Sequence, residues 1–151
     1  MNKKILVSVV AGVTAIVMLA GFGPGRGWRG GPFDQKRAYR FVTFQVDSKL
    51  EDLNATDAQK TQVNALKDEL FNEALKLRED HQATRTELLA QWDAQQVDSK
   101  RVHQIVDERF DAFRAFAHKV ADSAIRLHDL LTPEQRAQVK AQMPRHGGGE
   151  Q

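Results

Sequence analysis

At 151 residues the chain has room for one domain, and with no cysteine it must be held together by packing alone. The missing thiols also exclude cysteine catalysis and cysteine-based metal sites. Charge is nearly balanced, 22 Lys and Arg against 20 Asp and Glu, but unevenly placed: residues 24–40 carry five basic groups and only Asp34, a net of +4, whereas 41–151 carry a net of −4.

In chain order, Lys3 and Lys4 precede the apolar run "ILVSVVAGVTAIVMLAGFG", residues 5–23. A basic n-region before an apolar h-region reads as an export signal, here ending near Ala20–Gly23. The run is almost long enough to span a bilayer, so an uncleaved N-terminal anchor is the alternative, and membrane contact is expected only through residues 5–23 in that case. Phe22 stands where a lipoprotein would carry cysteine. Either way the folded part is expected outside the cytoplasm, which removes nucleic acid as an expected partner. Residues 24–32 then form a Gly-rich flexible linker whose Trp28 is the exception, an aromatic available to dock. A basic arm on an acidic body suits anionic partners or lipid headgroups, although a solvated arm is the simpler reading.

Between Pro32 and Pro133 there is neither proline nor glycine, and the stretch is rich in strong helix formers. The expected fold is all-α, with four helices in a domain spanning residues 33–143. The first runs from Asp34 to about Leu53, with Tyr39, Val42, Val46, Leu50 and Leu53 on one face. The second runs from Thr56 to about Asp93, with Val63, Leu66, Leu70, Ala74, Leu77, His81, Thr84, Leu88 and Trp92 as its stripe. The third runs from Asp98 or Ser99 to about Leu131, with Val102, Val106, Phe110, Phe113, Ala117, Val120, Ala124, Leu127 and Leu131 facing the core. The fourth is short, Pro133 to about Met143, and residues 144–151 read as a disordered tail.

The second and third helices, each roughly 50–57 Å long, are joined by residues 94–97 only and should fold back as an antiparallel hairpin. Residue n then lies opposite roughly 193 − n, which brings two related helix starts to the same open end. "TDAQKTQV" at 56–63 and "TPEQRAQV" at 132–139 share Thr56/Thr132, Gln59/Gln135, Gln62/Gln138 and Val63/Val139. Each has capping-box form, with the Thr hydroxyl accepting from the amide three residues on and the Gln amide returning to the cap residue's own N–H.

With its complete Leu131-Thr132-x-x-Gln135 motif and the looser Thr56-x-x-Gln59 copy, the chain resembles the LTxxQ family of periplasmic proteins, which includes the Spy and CpxP chaperones and the zinc-resistance-associated proteins. The resemblance implies a cradle-shaped homodimer that binds unfolded client proteins without ATP in envelope-stress responses. It also implies two alternatives on the same scaffold: a metal-binding or metal-sensing accessory protein, and a regulator that contacts the periplasmic domain of a sensor kinase.

Cations and isolated apolar groups off the core stripes are the candidates for weak contact with unfolded chains. On the second helix these are Lys60, Lys67, Phe71, Arg78 and Arg85; on the third, Arg109, Phe116 and Lys119, flanked by Ile105 and Ala112. Phe41 and Phe44 on the first helix are further candidates for a dimer or client surface.

Metal and catalytic readings have less behind them. His81, His103, His118, His128 and His146 include no pair three or four residues apart, the spacing that puts two ligands on one helix face. No metal site is expected, zinc entering only adventitiously or bridged between copies, and His81 is expected as a hydrogen-bonded core residue. Ser8, Ser48, Ser99 and Ser123 have no arranged His/Asp partners, and no glycine loop opens a helix in a phosphate-binding pattern. Neither a cofactor nor an enzymatic activity is expected.

Overall fold

The computed structural model describes residues 34–142; the expected signal or anchor, the linker and the C-terminal tail lie outside that range. Four helices and no strand are found among the described residues: α1 (Gln35–Asp52), α2 (Asp57–Asp93), α3 (Ser99–Leu130) and α4 (Pro133–Gln142). The local chemistry sets the boundaries. Asp34, Thr56 and Asp98 each accept a hydrogen bond from the backbone N–H three residues on, satisfying one of the donors a helix start leaves open. α1 stops where Asn54 enters the left-handed region at φ 49°, a conformation asparagine tolerates, and the Ala55 N–H closes the turn onto the Leu50 carbonyl at 2.9 Å. At the far end Asp98 N–H donates to the Gln91 side-chain oxygen at 3.0 Å, bracing the turn between α2 and α3.

α2 and α3 form the expected antiparallel hairpin, and α1 lies antiparallel along one half of α2. That register is read from three contacts. Tyr39 packs edge-on against Phe71 with ring centroids 5.2 Å apart, Thr43 accepts from Lys67 Nζ at 2.9 Å, and Asp47 accepts from Asn64 at 3.1 Å. α1 has 18 residues, about 27 Å, against 37 residues and about 55 Å for α2. It therefore covers α2 only as far as about residue 75. Beyond that point the hairpin continues, among the described residues, as two helices.

The core follows this coverage. Ala38 and Val42 of α1, Leu70, Phe71, Ala74 and Leu77 of α2, and Phe116 of α3 make one buried cluster, with Val46, Leu75, Ala112 and Val120 packed around it. Phe71 and Phe116, expected on the surface, are 2% and 5% exposed. α2 is sandwiched between two helices here, so its buried sector widens to take in Leu70 and Phe71 together. α3 carries two apolar seams one residue apart. Ile105, Ala112 and Phe116 face inward together with Val120 of the expected stripe, whereas Val106, Phe110, Ala117 and Ala124 of that stripe face solvent and Val102, Phe113 and Leu127 are half-buried. Among the described residues α3 packs mainly on α2, with Phe116 also reaching the cluster of Ala38 and Val42, so the seam that meets these neighbours is the one buried. His81 and Trp92 are likewise exposed, because among the described residues no third helix joins α2 and α3 there to close over them.

The seam assignment is tested by a pair of substitutions. Phe116→Ala should lower unfolding free energy by about 3–5 kcal/mol by leaving a cavity, whereas Phe110→Ala should cost less than about 1 kcal/mol. Urea denaturation followed by circular dichroism distinguishes them, and equal losses would reverse the assignment.

Candidate client-binding surface

The two motif glutamines meet at the open end of the hairpin. Gln59 Oε1 accepts from Thr56 N–H at 2.9 Å while the Thr56 hydroxyl accepts from Gln59 N–H at 3.2 Å; the same reciprocal pair joins Thr132 and Gln135 at 2.9 and 3.3 Å. Each amide then reaches across. Gln59 Nε2 donates to Gln135 Oε1 at 2.9 Å and to the Leu130 carbonyl at 2.7 Å. Gln135 Nε2 donates to Gln59 Oε1 at 3.3 Å and to the Leu53 carbonyl at 3.1 Å. Each glutamine so completes its own helix start and also satisfies a carbonyl at the end of the helix that precedes the other motif. Leu131 and Ala55, one residue before each cap, are buried beside this network. The capping boxes were legible in the sequence; the exchange between them was not, although the hairpin register already placed 59 beside 134. The motif is a four-ended clasp joining α1, α2, α3 and α4.

Of the eight cations and aromatics proposed for client contact, Lys67, Phe71 and Phe116 are buried in the fold. Phe71 and Phe116 are core residues. Lys67 is buried, and its Nζ donates to Thr43 Oγ1 and Tyr39 Oη, lies 4.5 Å from the Tyr39 ring centroid and pairs with Asp68 at 3.1 Å. Lys119 bridges the hairpin to Glu73 at 3.0 Å, and Arg109 donates to the Leu77 carbonyl at 3.4 Å. Arg78 is half-buried, Lys60 half-buried and Arg85 exposed.

What the hairpin leaves to solvent is its unaccompanied half. Leu88, Leu89 and Trp92 of α2, Val97 in the turn, and Val106 and Phe110 of α3 are all exposed, Trp92 by 83% and Phe110 by 65%. Single exposed apolar side chains are ordinary. Six of them fall between residues 88 and 110, on the part of the hairpin beyond the reach of α1. Arg101 holds this half together through both carboxylate oxygens of Glu87 and through Glu108 at 3.0 Å. The hydrogen bond from Arg101 keeps the Glu87 carboxyl below its ordinary range, and Lys119 followed by Lys76 does the same for Glu73. A lowered folded-state pKa means stabilisation that is present above the ordinary carboxylate range and is lost as pH falls through the lowered value.

Among the described residues no group of three or more metal-capable side chains stands together. His81, His103, His118 and His128 are all exposed, so His81 is not the core residue expected of it; His128 Nδ1 lies 3.1 Å from Asp129. His146 is outside the described range.

Gln59→Ala and Gln135→Ala should each destabilise by about 1–3 kcal/mol, because each strands a carbonyl and a cap N–H, and the double variant should cost clearly less than the sum. A double-mutant cycle in urea measures the coupling, and additivity would show that the two motifs act separately. In acid titration, Glu87→Gln should flatten the loss of stability between neutral pH and the point where the lowered carboxylates protonate, read as melting temperature against pH.

No characterised protein and no solved structure matches the chain. A family model described as LTXXQ motif family protein matches residues 42–143, from the middle of α1 through the end of α4, and so contains both glutamines and the whole hairpin. The chain belongs to the LTXXQ motif family, the helical and non-enzymatic family of Spy/CpxP-like periplasmic proteins.

Proposed function

We propose that this protein is an ATP-independent periplasmic chaperone that holds unfolded or misfolded envelope proteins during envelope stress, acting as a homodimer. The observation that carries the reading is the solvent-facing apolar set on the unaccompanied half of the hairpin: Leu88, Leu89, Trp92, Val97, Val106 and Phe110. Unfolded chains are recognised by what they share, exposed apolar side chains and backbone, so a client surface needs apolar groups that are spread out and not locked into one shape. A two-helix segment with few buried contacts has that adaptability, and Arg85 and Lys100 beside the apolar groups supply steering charge. Family membership supports the periplasmic setting, and Lys3, Lys4 and the apolar run at 5–23 supply the means of export.

The reading replaces the client-contact residues expected from the sequence. Lys67, Phe71 and Phe116 are withdrawn from that role by burial, and the exposed apolar residues of the tip take their place. The test is suppression of aggregation of a chemically unfolded client by the purified protein at stoichiometric amounts, followed by light scattering. Wild type should suppress it, and Leu89→Ser combined with Trp92→Ser and Phe110→Ser should weaken client binding about tenfold while leaving the helical circular dichroism signal unchanged. Failure of wild type to suppress aggregation would sink the chaperone reading. Full suppression by the triple variant would move the client surface elsewhere.

A further inference from the structure

In the hairpin, Lys76, Arg101, Arg114, Lys119 and Arg126 each pair with a carboxylate within 3.3 Å, while Lys60, Arg85 and Lys100 are scattered along it without an ion pair to a described residue. On α1, Lys36, Arg37 and Arg40 are exposed and make no ion pair with any described residue. Arg37, Arg40, Phe41 and Phe44 follow one another at spacings of three, one and three, which puts them on one helix face, opposite the buried Ala38 and Val42. Phe44 is 69% exposed and Phe41 44%. The acidic residues of α1, Asp47, Glu51 and Asp52, are confined to its second half, and Asp52 is already paired with Lys49 at 2.8 Å. In sequence the same chemistry continues before α1, with Arg26, Trp28, Arg29 and Phe33.

We propose that the outward face of the first half of α1, Arg37–Arg40–Phe41–Phe44 with Lys36 beside it, docks on the anionic phospholipid surface of the membrane, independently of whether residues 5–23 remain attached. Uncompensated cations choose an anionic surface, and aromatic rings at the same level choose the headgroup boundary, where the ring is buried and the cations stay hydrated. A soluble polyanion would satisfy the cations and leave Phe41 and Phe44 in water. The charge asymmetry also sets an orientation. Residues 24–40 carry a net of +4 and 41–151 a net of −4, so the same field that draws in the start of α1 repels the rest of the domain. The acidic second half of α1, and the clasp end of the hairpin beside it, lie away from the surface.

The absence of cysteine makes a local test simple. Phe44→Cys and, as a control on α3, Ile125→Cys, itself 60% exposed, are each labelled in the exported protein with an environment-sensitive dye. Vesicles with about one-third phosphatidylglycerol should shift the emission at position 44 to the blue and leave position 125 unchanged; pure phosphatidylcholine should shift neither. Arg37→Gln with Arg40→Gln should weaken the anionic-vesicle response about thirtyfold, as should high salt in part, with the helical signal retained. No shift at position 44, an equal shift at position 125, or the same shift with soluble polyphosphate would each overturn the proposal. The dye readout is separate from client aggregation, so either result stands without the other.

Discussion

Everything in this fold hangs from the pair of glutamine amides at the open end of the hairpin. A primary amide offers two donors and one oxygen with two lone pairs, and here nearly all of that capacity is used. The oxygen of Gln59 takes its own cap N–H and the facing amide, and its nitrogen takes the facing oxygen and the Leu130 carbonyl; Gln135 mirrors this with the Leu53 carbonyl. Gln135 is buried, so an unpaired amide there would carry a full desolvation penalty. Neither glutamate nor asparagine could substitute: glutamate has no donor, and asparagine is one methylene too short to cross. This chemistry requires both residues to be glutamine at the third position after the cap.

Closing one end leaves the other end to be held by other means. α1 stabilises only the proximal half, where the apolar cluster and the Lys67–Tyr39–Thr43–Asp68 network lie. On the distal half the interior anchor is Ile105, 2% exposed, and Arg101 with Glu87 and Glu108 clamps the two helices from the outside. Few buried contacts and many exposed backbone hydrogen bonds are the conditions for local opening at low free energy. Stability is therefore graded along the hairpin axis, from the clasp to the turn.

This gradient also decides which features the sequence made legible. Helix ends depend on local chemistry, and Asp34, Thr56, Asp98 and Pro133 marked them to within a residue or two. The hairpin register followed from one short connection. Burial on α2 and α3 depends on how many neighbours each face has, which periodicity does not encode. Phe71 at i+1 from Leu70 falls off the α2 stripe yet is covered by α1, and Phe110 falls on the α3 stripe yet has no third described helix over it. The available clue was length. α1 is half as long as α2, so any stripe running the full length of the hairpin had to lose its cover midway.

The same mismatch explains how an exposed apolar set can persist in a protein without disulfides. Apolar residues on a surface are a liability when they sit on an open sheet edge, because unpaired backbone groups then join the side chains in templating aggregation. In a helix the backbone is already satisfied internally, so Trp92 and Phe110 offer side chains alone. Charges interleaved along the same helices, many of them committed to ion pairs across or along the hairpin, keep such residues from merging into a larger sticky face. A long helical hairpin clasped at one end is thus a scaffold on which apolar groups can be displayed without destabilising it, since the packing that secures the fold lies in the other half.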